Sequence, residues 1–593
     1  MKLLGEDNIK KSKNKSGSFI KGALVLGAAS LIVKLIGAGF KIPLTYLIGD
    51  DGMGWFNIAY QIYTFMFIVA TAGFPVAISK MVAESLARDD ERDAKRVFQT
   101  SFTLLFIIGI LGSVILFAFA GPLSRLVGIP DSELGIKAIA PAIFFVSMAS
   151  ALRGYFQGRQ NMYPTAFSEV IESSGKLIIG LVLAGLFMGM AVSPALNKAA
   201  DLANGVFQSE HIRKIYASAG ANFGVAVGTF LSSALLILIY IFTSAAAKRH
   251  AELAAPMTAA ADRIRPKKTI LKELVLIAIP ITIGASVSSL TTLIDMTTIG
   301  RRLVINPAVF DRYSFMFEGS AEFMRKAAEE GWNAAEINVQ KATSLYGMYT
   351  GKALTMFNLP LTIIVGLATS IVPAISAAVA KKNSGEAQSI TLSAIKIALL
   401  FGAPCAVGMS VLSSDVLNLL FSTDNAEIVL SILAIAIIPV AVVQVTNAIL
   451  QAYGKMYYPV FNMLIGGAVK VIFNFFAIPL LGIEAAPIGT FLCYLIIAVI
   501  NTVQIVNHAK IRFKFTDVVL KPVIAAVVMG VFAWFIDGFL PQSRVITLLE
   551  IAACAVVYLI MIFVVGAVKR EDVLRMPKGE KIAGILEKFK LIK

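Results

Sequence analysis

The sequence predicts an all-α integral membrane protein with fourteen transmembrane helices, and three observations carry that prediction. Of 593 residues, 57% are hydrophobic and only 15% charged, with a mean hydropathy of +0.78. That leaves too little polar surface to coat a soluble chain of this size. Apolar runs of about 20 residues or more recur from end to end, each able to cross a ~30 Å hydrocarbon layer as a helix. The loops between them alternate between basic and acidic, as the positive-inside rule requires. Helical spans satisfy their own backbone hydrogen bonds, which isolated strands do not.

The predicted elements follow in order. Residues 1–19 are a basic cytoplasmic N-terminus. The apolar run after Lys10, Lys11, Lys13, Lys15 and Lys21 extends to about Gly49, too long for a 7–15-residue signal core, so it reads as the first span. Spans near 20–48, 54–82, 97–120, 136–156, 164–190 and 217–244 make an N-lobe over 20–244. A basic cytoplasmic linker, 245–271, leads to a C-lobe over 272–507. Its spans lie near 272–299, 344–377, 390–412, 427–452, 459–480 and 485–507. Two more spans fill 518–568, and 569–593 is a basic cytoplasmic tail.

Loop charges fix the orientation. The inner connections carry Lys80, Arg88, Arg92, Lys95 and Arg96, then Arg153 and Arg159, then Lys381 and Lys382. The short outer loops hold Asp50 and Asp51, then Asp415, Asp424 and Glu427, then Glu484, with no Lys or Arg. Both termini are therefore expected inside. Two longer outer insertions are expected, about 188–216 and 301–343. The second contains EFMRKAAEEGWNAAEINVQKA, a mixed-charge amphipathic pattern expected to form a solvated extension or lid.

An internal repeat organises the spans. FQGRQNMYPTAFSEVIESSGK (Phe156–Lys176) and LQAYGKMYYPVFNMLIGGAVK (Leu450–Lys470) share Gln, Met, Tyr, Phe, Ile and Lys at matching places. TAGFPVAIS (Thr71–Ser79) likewise matches ATSIVPAIS (Ala368–Ser376). Spans 1–6 are thus repeated as spans 7–12. An even number of spans gives both copies one orientation, with a site expected at mid-membrane between them.

Ionisable residues in mid-span cost at least ~2.5–3.5 kcal/mol, so each needs a reason. Lys34 and Lys41 lie seven apart on span 1 and share a face. On span 5, Glu169, Glu172 and Lys176 share another, with Glu172 before Lys176 in the favourable i,i+4 order. Asp295 lies inside span 7, and Lys470 and Asn474 form an i,i+4 pair on span 11. Glu169 and Lys396 are near enough to an interface to snorkel. Lys176 and Lys470 are equivalent in the repeat and are expected to face a central cleft. Lys34, Lys41, Lys176 and Lys470 suit an anionic headgroup. Glu172, Asp295 and Asn474 suit proton or sodium coupling.

Other functions find little support. Cys405, Cys493 and Cys554 sit in apolar spans, and no Cys/His metal spacing occurs. Ser174-Gly175-Lys176-Leu177 lacks the glycine and hydroxyl of a phosphate loop. No cofactor and no catalytic constellation are expected, so the chain reads as a transporter and not as an enzyme. The net charge of +16 follows from topology and contact with anionic lipids, not nucleic acid.

The stretch from Lys34 to Thr45 (KLIGAGFKIPLT), then GMGWFNIAYQIYTFMFIVATAGFPVAISKMVAES, then LRGYFQGRQNMYPTAFSEVIES resemble the stage V sporulation protein B-like lipid II flippases. These are Gram-positive relatives of MurJ in the polysaccharide-flippase branch of the multidrug, oligosaccharidyl-lipid and polysaccharide exporter superfamily. The resemblance covers nearly the whole chain. It implies two six-helix lobes in a V plus two C-terminal helices in a bacterial cell membrane. It also implies export of a polyprenyl-diphosphate-linked glycan, lipid II favoured, by alternating access. Cationic cavity residues would hold the diphosphate, and Lys41 matches the family's basic position in span 1. A monomer is expected, with association with the cell-wall synthesis machinery. The arginine-rich first-span motif of Gram-negative MurJ is absent. The sodium site of some relatives would fall on Asp295 and Asn474. Lys470, one turn away, would replace the metal ion with a fixed ammonium and leave proton coupling or the membrane potential as driver. A drug/cation antiporter of the same superfamily is the alternative, but it would want an acid-dominated cavity.

Overall fold

The structure, a computed structural model, describes residues 2–88, 90–189, 210–253, 265–317, 321–511, 514–541 and 543–568. No strand occurs among them. Ten helical segments among the described residues are long and apolar enough to cross a membrane, eleven when a bent pair near Ile435–Ile437 is joined. The chain is a multi-pass membrane protein. Its contacts divide it into two units, Met1–Thr297 and Thr298–Lys593. The expected outer insertion 188–216 falls largely outside the described residues, as does the tail 569–593.

The first unit begins with α1 (Lys2–Thr71), which is broken at Gly49. There φ is +68°, a backbone state open to glycine but strained for other residues, so the chain can reverse between two apolar runs. Asp51 next to the break pairs with Lys214 at 3.7 Å. Then come α2 (Phe74–Ala87), α3 (Glu91–Ala118), α4 (Ala120–Val127), α5 (Glu133–Ile139), α6 (Pro141–Gly158), α7 (Tyr163–Phe187) and α8 (Glu210–Leu253). Proline near the start of α2, α6 and α7 suits a first turn, whose N–H groups have no intrahelical partner. Phe98 packs on Tyr155 and Tyr240, each 4.7 Å between ring centroids. Ile270, Leu274 and Ala278, from the start of α9 (Lys267–Ile305), complete that core.

The last described stretch of the basic linker is anchored, not loose. Asp93, 1% exposed at its side chain, accepts from Arg265 Nε at 2.9 Å and Nη2 at 2.6 Å. Ser85 Oγ donates to the same carboxylate at 2.7 Å, and Arg265 Nη1 reaches Glu273 at 2.9 Å. One buried acid thus joins α2, α3 and the entry to α9.

The second unit continues with α10 (Ala321–Glu329), α11 (Ala334–Met348), α12 (Leu354–Ala380), α13 (Ser384–Val411), α14 (Ser413–Phe421), α15 (Glu427–Ile435) and α16 (Ile437–Ala452). It ends with α17 (Tyr457–Leu481), α18 (Ala485–Ala509), α19 (Lys521–Asp537) and α20 (Arg544–Val564). Here the outer insertion departs from the expectation of a solvated 301–343 extension. Tyr313 Oη donates to Glu484 at 2.6 Å and accepts from the Ile483 N–H at 3.2 Å, tying the stretch to the α17–α18 turn. An Asn333/Glu336 capping box starts α11, which passes through a π-turn at Tyr349–Ala353 into α12. From Ala334 to Ala368 the segment is one apolar helical run of membrane length.

Asp93→Ala is expected to lower stability by about 3 kcal/mol, the low end for a broken buried pair because Arg265 is partly exposed. Thermal unfolding in detergent measures it, with Asp93→Asn falling between the two.

Candidate functional site

A cavity of about 340 Å³ lies in the first unit between α1, α7 and α8. The first part of α1 contributes Lys34, Gly37 and Phe40, and the part after the Gly49 break contributes Tyr60, Tyr63, Thr64 and Phe67. Glu172, Ser173 and Lys176 come from α7, one helical face set by the i, i+4 spacing. The break at Gly49 therefore has a purpose in the site: it folds the aromatic stretch of α1 back across from Lys34.

Lys176 is held by rings. Its ammonium lies 4.4 Å from the Tyr60 ring centroid and 5.0 Å from that of Phe40, and it donates to Tyr60 Oη at 3.2 Å. Cation–π attraction of this kind stabilises a charge in a dry setting without neutralising it. Lys41 is half-buried and follows Phe40 of the cavity wall in sequence. Lys34 and Lys41 thus differ in position although they share a face: Lys34 lines the cavity and Lys41 does not.

Glu172 pairs with Arg153, not with the Lys176 that sequence spacing offers. Arg153 Nη2 lies 2.7 Å from Glu172 Oε2. Arg153 also donates to Ser168 Oγ and Ser232 Oγ, both at 3.0 Å. This corrects the reading of Arg153 as an inner-loop charge, since it is 9% exposed in the body of α6. The pair cancels, so the cavity keeps the charge of Lys34 and Lys176. Glu169 is only partly buried on the same helix.

Close helix packing fixes this arrangement. A Cβ on Gly224 would lie 2.4 Å from Gly180 Cα, and one on Gly228 would lie 2.5 Å from the Glu172 carbonyl oxygen. Only glycine lets α8 approach α7 so nearly, and that approach brings Ser232 to Arg153.

The other expected residues fall elsewhere. Asp295 is buried, 4% exposed, on α9 in the first unit. In the second unit Lys470 is 2% exposed, and Asn474 is fully buried and donates to Thr298 Oγ1 at 3.4 Å. Lys396 is half-buried on α13. Sequence reasoning missed two further buried lysines there. Lys341 lies 5.7 Å from the ring centroids of both Phe310 and Phe317, and Lys352, in the π-turn, donates to Asn425 Oδ1 at 2.9 Å. Their eleven-residue spacing, about three helical turns, was the available signal. It also missed an amide network in which Asn462 donates to Asn501 and Gln504, each at 2.7 Å, and Asn501 donates to Asn447 at 2.8 Å.

Comparison with known proteins agrees with the resemblance in the sequence. Residues 19–309 match the family described as polysaccharide biosynthesis protein. Residues 339–554 match the family described as lipid II flippase MurJ. Stage V sporulation protein B of Bacillus subtilis (strain 168) is 24% identical over 567 residues, covering 94% of this chain and 98% of the relative. A solved lipid II flippase MurJ in an inward closed conformation has a TM-score of 0.61 at 14% identity, covering 92% of this chain and 97% of that one. An inward-facing MATE family multidrug resistance transporter of the MOP superfamily has a TM-score of 0.56 at 14% identity, covering 82% and 98%. The chain is therefore similar over nearly its whole length to stage V sporulation protein B, and it shares its fold with the solved MurJ and MATE structures.

Proposed function

We propose that this protein is a flippase. It moves a polyprenyl-diphosphate-linked cell-wall precursor, lipid II first among them, from the inner to the outer leaflet by alternating access. The observation that carries this is the first-unit cavity: two lysines on its wall, aromatic rings around one of them, and its single acid already neutralised by Arg153. A diphosphate is a compact dianion, and ammonium groups in a half-dry cavity bind one strongly. A drug/cation antiporter would need the opposite sign. Transport by this route breaks no covalent bond, so no catalytic residue is required.

Fourteen spans are the finer form of this reading. The 59-residue segment Ala29–Ala87 breaks at Gly49, and the 53-residue segment Tyr457–Ala509 breaks at Gly482, where φ is +76°. Each supplies two spans, and the 39-residue α9 supplies one more. With the bent pair, fourteen spans put both termini in the cytoplasm, N-lobe 20–244 and C-lobe 272–507. Lys34, Lys41, Lys176 and Lys470 serve the headgroup. Glu172 is engaged by Arg153, which favours the membrane potential over a proton on that acid. Moving one elementary charge is worth ~2.3 kcal/mol per 100 mV. An outward-moving dianion therefore gains about twice that from an inside-negative potential.

In a bacterium depleted of its own lipid II flippase, wild type is expected to restore viability and surface-exposed lipid II, read by a membrane-impermeant probe. Lys176→Ala, at equal expression, is expected to lose at least ten-fold in surface signal, and Lys41→Ala and Lys470→Ala to lose less. Failure of well-expressed wild type to rescue would shift the cargo to another polyprenyl-linked glycan. Full rescue by Lys176→Ala would remove the cavity from the mechanism. Gly228→Val, which changes no charge, is expected to lose activity through the displaced α7.

A further inference from the structure

The C-terminal hairpin of the second unit carries a cluster that flipping does not use. Asp537 ends α19, Glu550 stands in the second turn of α20, and Asp415 lies in the short helix α14. One carboxylate oxygen from each lies within 4.8 Å of the other two. Glu550 is on the inward seam of α20, in line with Thr547, Cys554 and Tyr558, all buried. Leu412, Met529 and Ala533 belong to the apolar cluster that packs beside Cys554.

Glu550 is only 4% exposed, and its Oε1 is buried with no hydrogen-bond partner. The charged groups acting on it are Asp537 and Asp415, both acidic. Those acting on Asp415 are Asp537 and Glu427, again acidic. Arg544, at the start of α20, is turned to Ser422 Oγ instead. Among the described residues only acidic charges act on Glu550 and Asp415, so a positive charge among the three oxygens would relieve their crowding. A shared proton between Asp415 and Asp537 would still leave Glu550 Oε1 unanswered.

We propose that Asp415, Asp537 and Glu550 bind a hard divalent cation, Ca²⁺ for its flexible all-oxygen coordination, which ties the α19–α20 hairpin to α14. The donor set is all oxygen, which excludes a preference for Zn²⁺ or Cu²⁺. Opposite ligands of Ca²⁺ stand about 4.6–5.2 Å apart, so three carboxylate oxygens within 4.8 Å of one another fit inside one such coordination sphere. The acidic connection holding Asp415 is the one expected on the outer face, where such sites work at roughly 10⁻⁴–10⁻³ M Ca²⁺.

The test uses the purified full-length protein in detergent, stripped with a chelator, desalted, and titrated with CaCl₂ or MgCl₂. Heat of binding and thermal unfolding are followed together. Wild type is expected to bind Ca²⁺ with Kd of about 10⁻⁴–10⁻³ M and to gain thermal stability, with Mg²⁺ roughly ten-fold weaker. Glu550→Gln and Asp537→Asn are expected to lose both responses, while unfolding in chelator no earlier than wild type because repulsion is relieved. Should Glu550→Gln fail to fold, the half-exposed Asp537→Asn decides alone. No heat and no shift in folded wild type at about 10 mM Ca²⁺, well above that range, would overturn the site. So would responses that persist undiminished in Asp537→Asn.

Discussion

A carboxylate and a guanidinium 2.7 Å apart inside a membrane protein set the sign of everything around them. Taking either Glu172 or Arg153 out of water costs several kcal/mol, and their attraction repays this only when the remaining donors are also satisfied. Ser168 and Ser232 satisfy them. Ser232 is in reach because glycines on α7 and α8 let the two helix backbones touch. The pair therefore depends on a packing feature with no charge of its own. Its consequence is that Lys176 lies against Tyr60 and Phe40 and is not paired with the acid one turn before it.

From that follows a division of labour along α7. Glu172 faces Arg153 and stabilises the helix packing, while Lys176 faces the cavity and is available to a ligand. The second unit places its lysines differently. Lys470 is 2% exposed, and Lys341 and Lys352 are 7% and 5% exposed. The π-turn that carries Lys352 widens the helix by one residue, a feature that often marks a working segment. A transporter that alternates between states needs groups whose surroundings change, and lysines held by rings and amides can change partners at modest cost.

The membrane class was legible from composition and loop charges alone, because hydrophobic length is a one-dimensional property. The breaks at Gly49 and Gly482 follow from acidic turns between apolar runs. Two readings went astray for physical reasons. Arg153 looked like a loop charge because its partners, Ser168, Glu172 and Ser232, are 15 to 79 residues away in sequence. The stretch after Ala334 looked solvated because its charges were counted together with those of α10. Only the Asn333 cap shows that a new helix begins there. Lys176 stood out in the sequence because a repeat pointed to it. Its ring partners were not, since cation–π contacts leave no fixed spacing. The carboxylates of Asp415, Asp537 and Glu550 come from three separate helices, and nothing local in the sequence links them.

The central claim is that the first-unit cavity binds a diphosphate through Lys176 while Glu172 stays neutralised by Arg153. The most direct measurement is the affinity of the purified protein for a short-chain prenyl-diphosphate disaccharide, for wild type, Lys176→Gln and Glu172→Gln. Losing a charge-assisted hydrogen bond of about 1.5–3 kcal/mol weakens binding roughly ten- to a hundred-fold, the result expected for Lys176→Gln. Glu172→Gln is expected to bind as tightly as wild type or tighter. Unchanged affinity in Lys176→Gln, or a collapse confined to Glu172→Gln, would contradict the account.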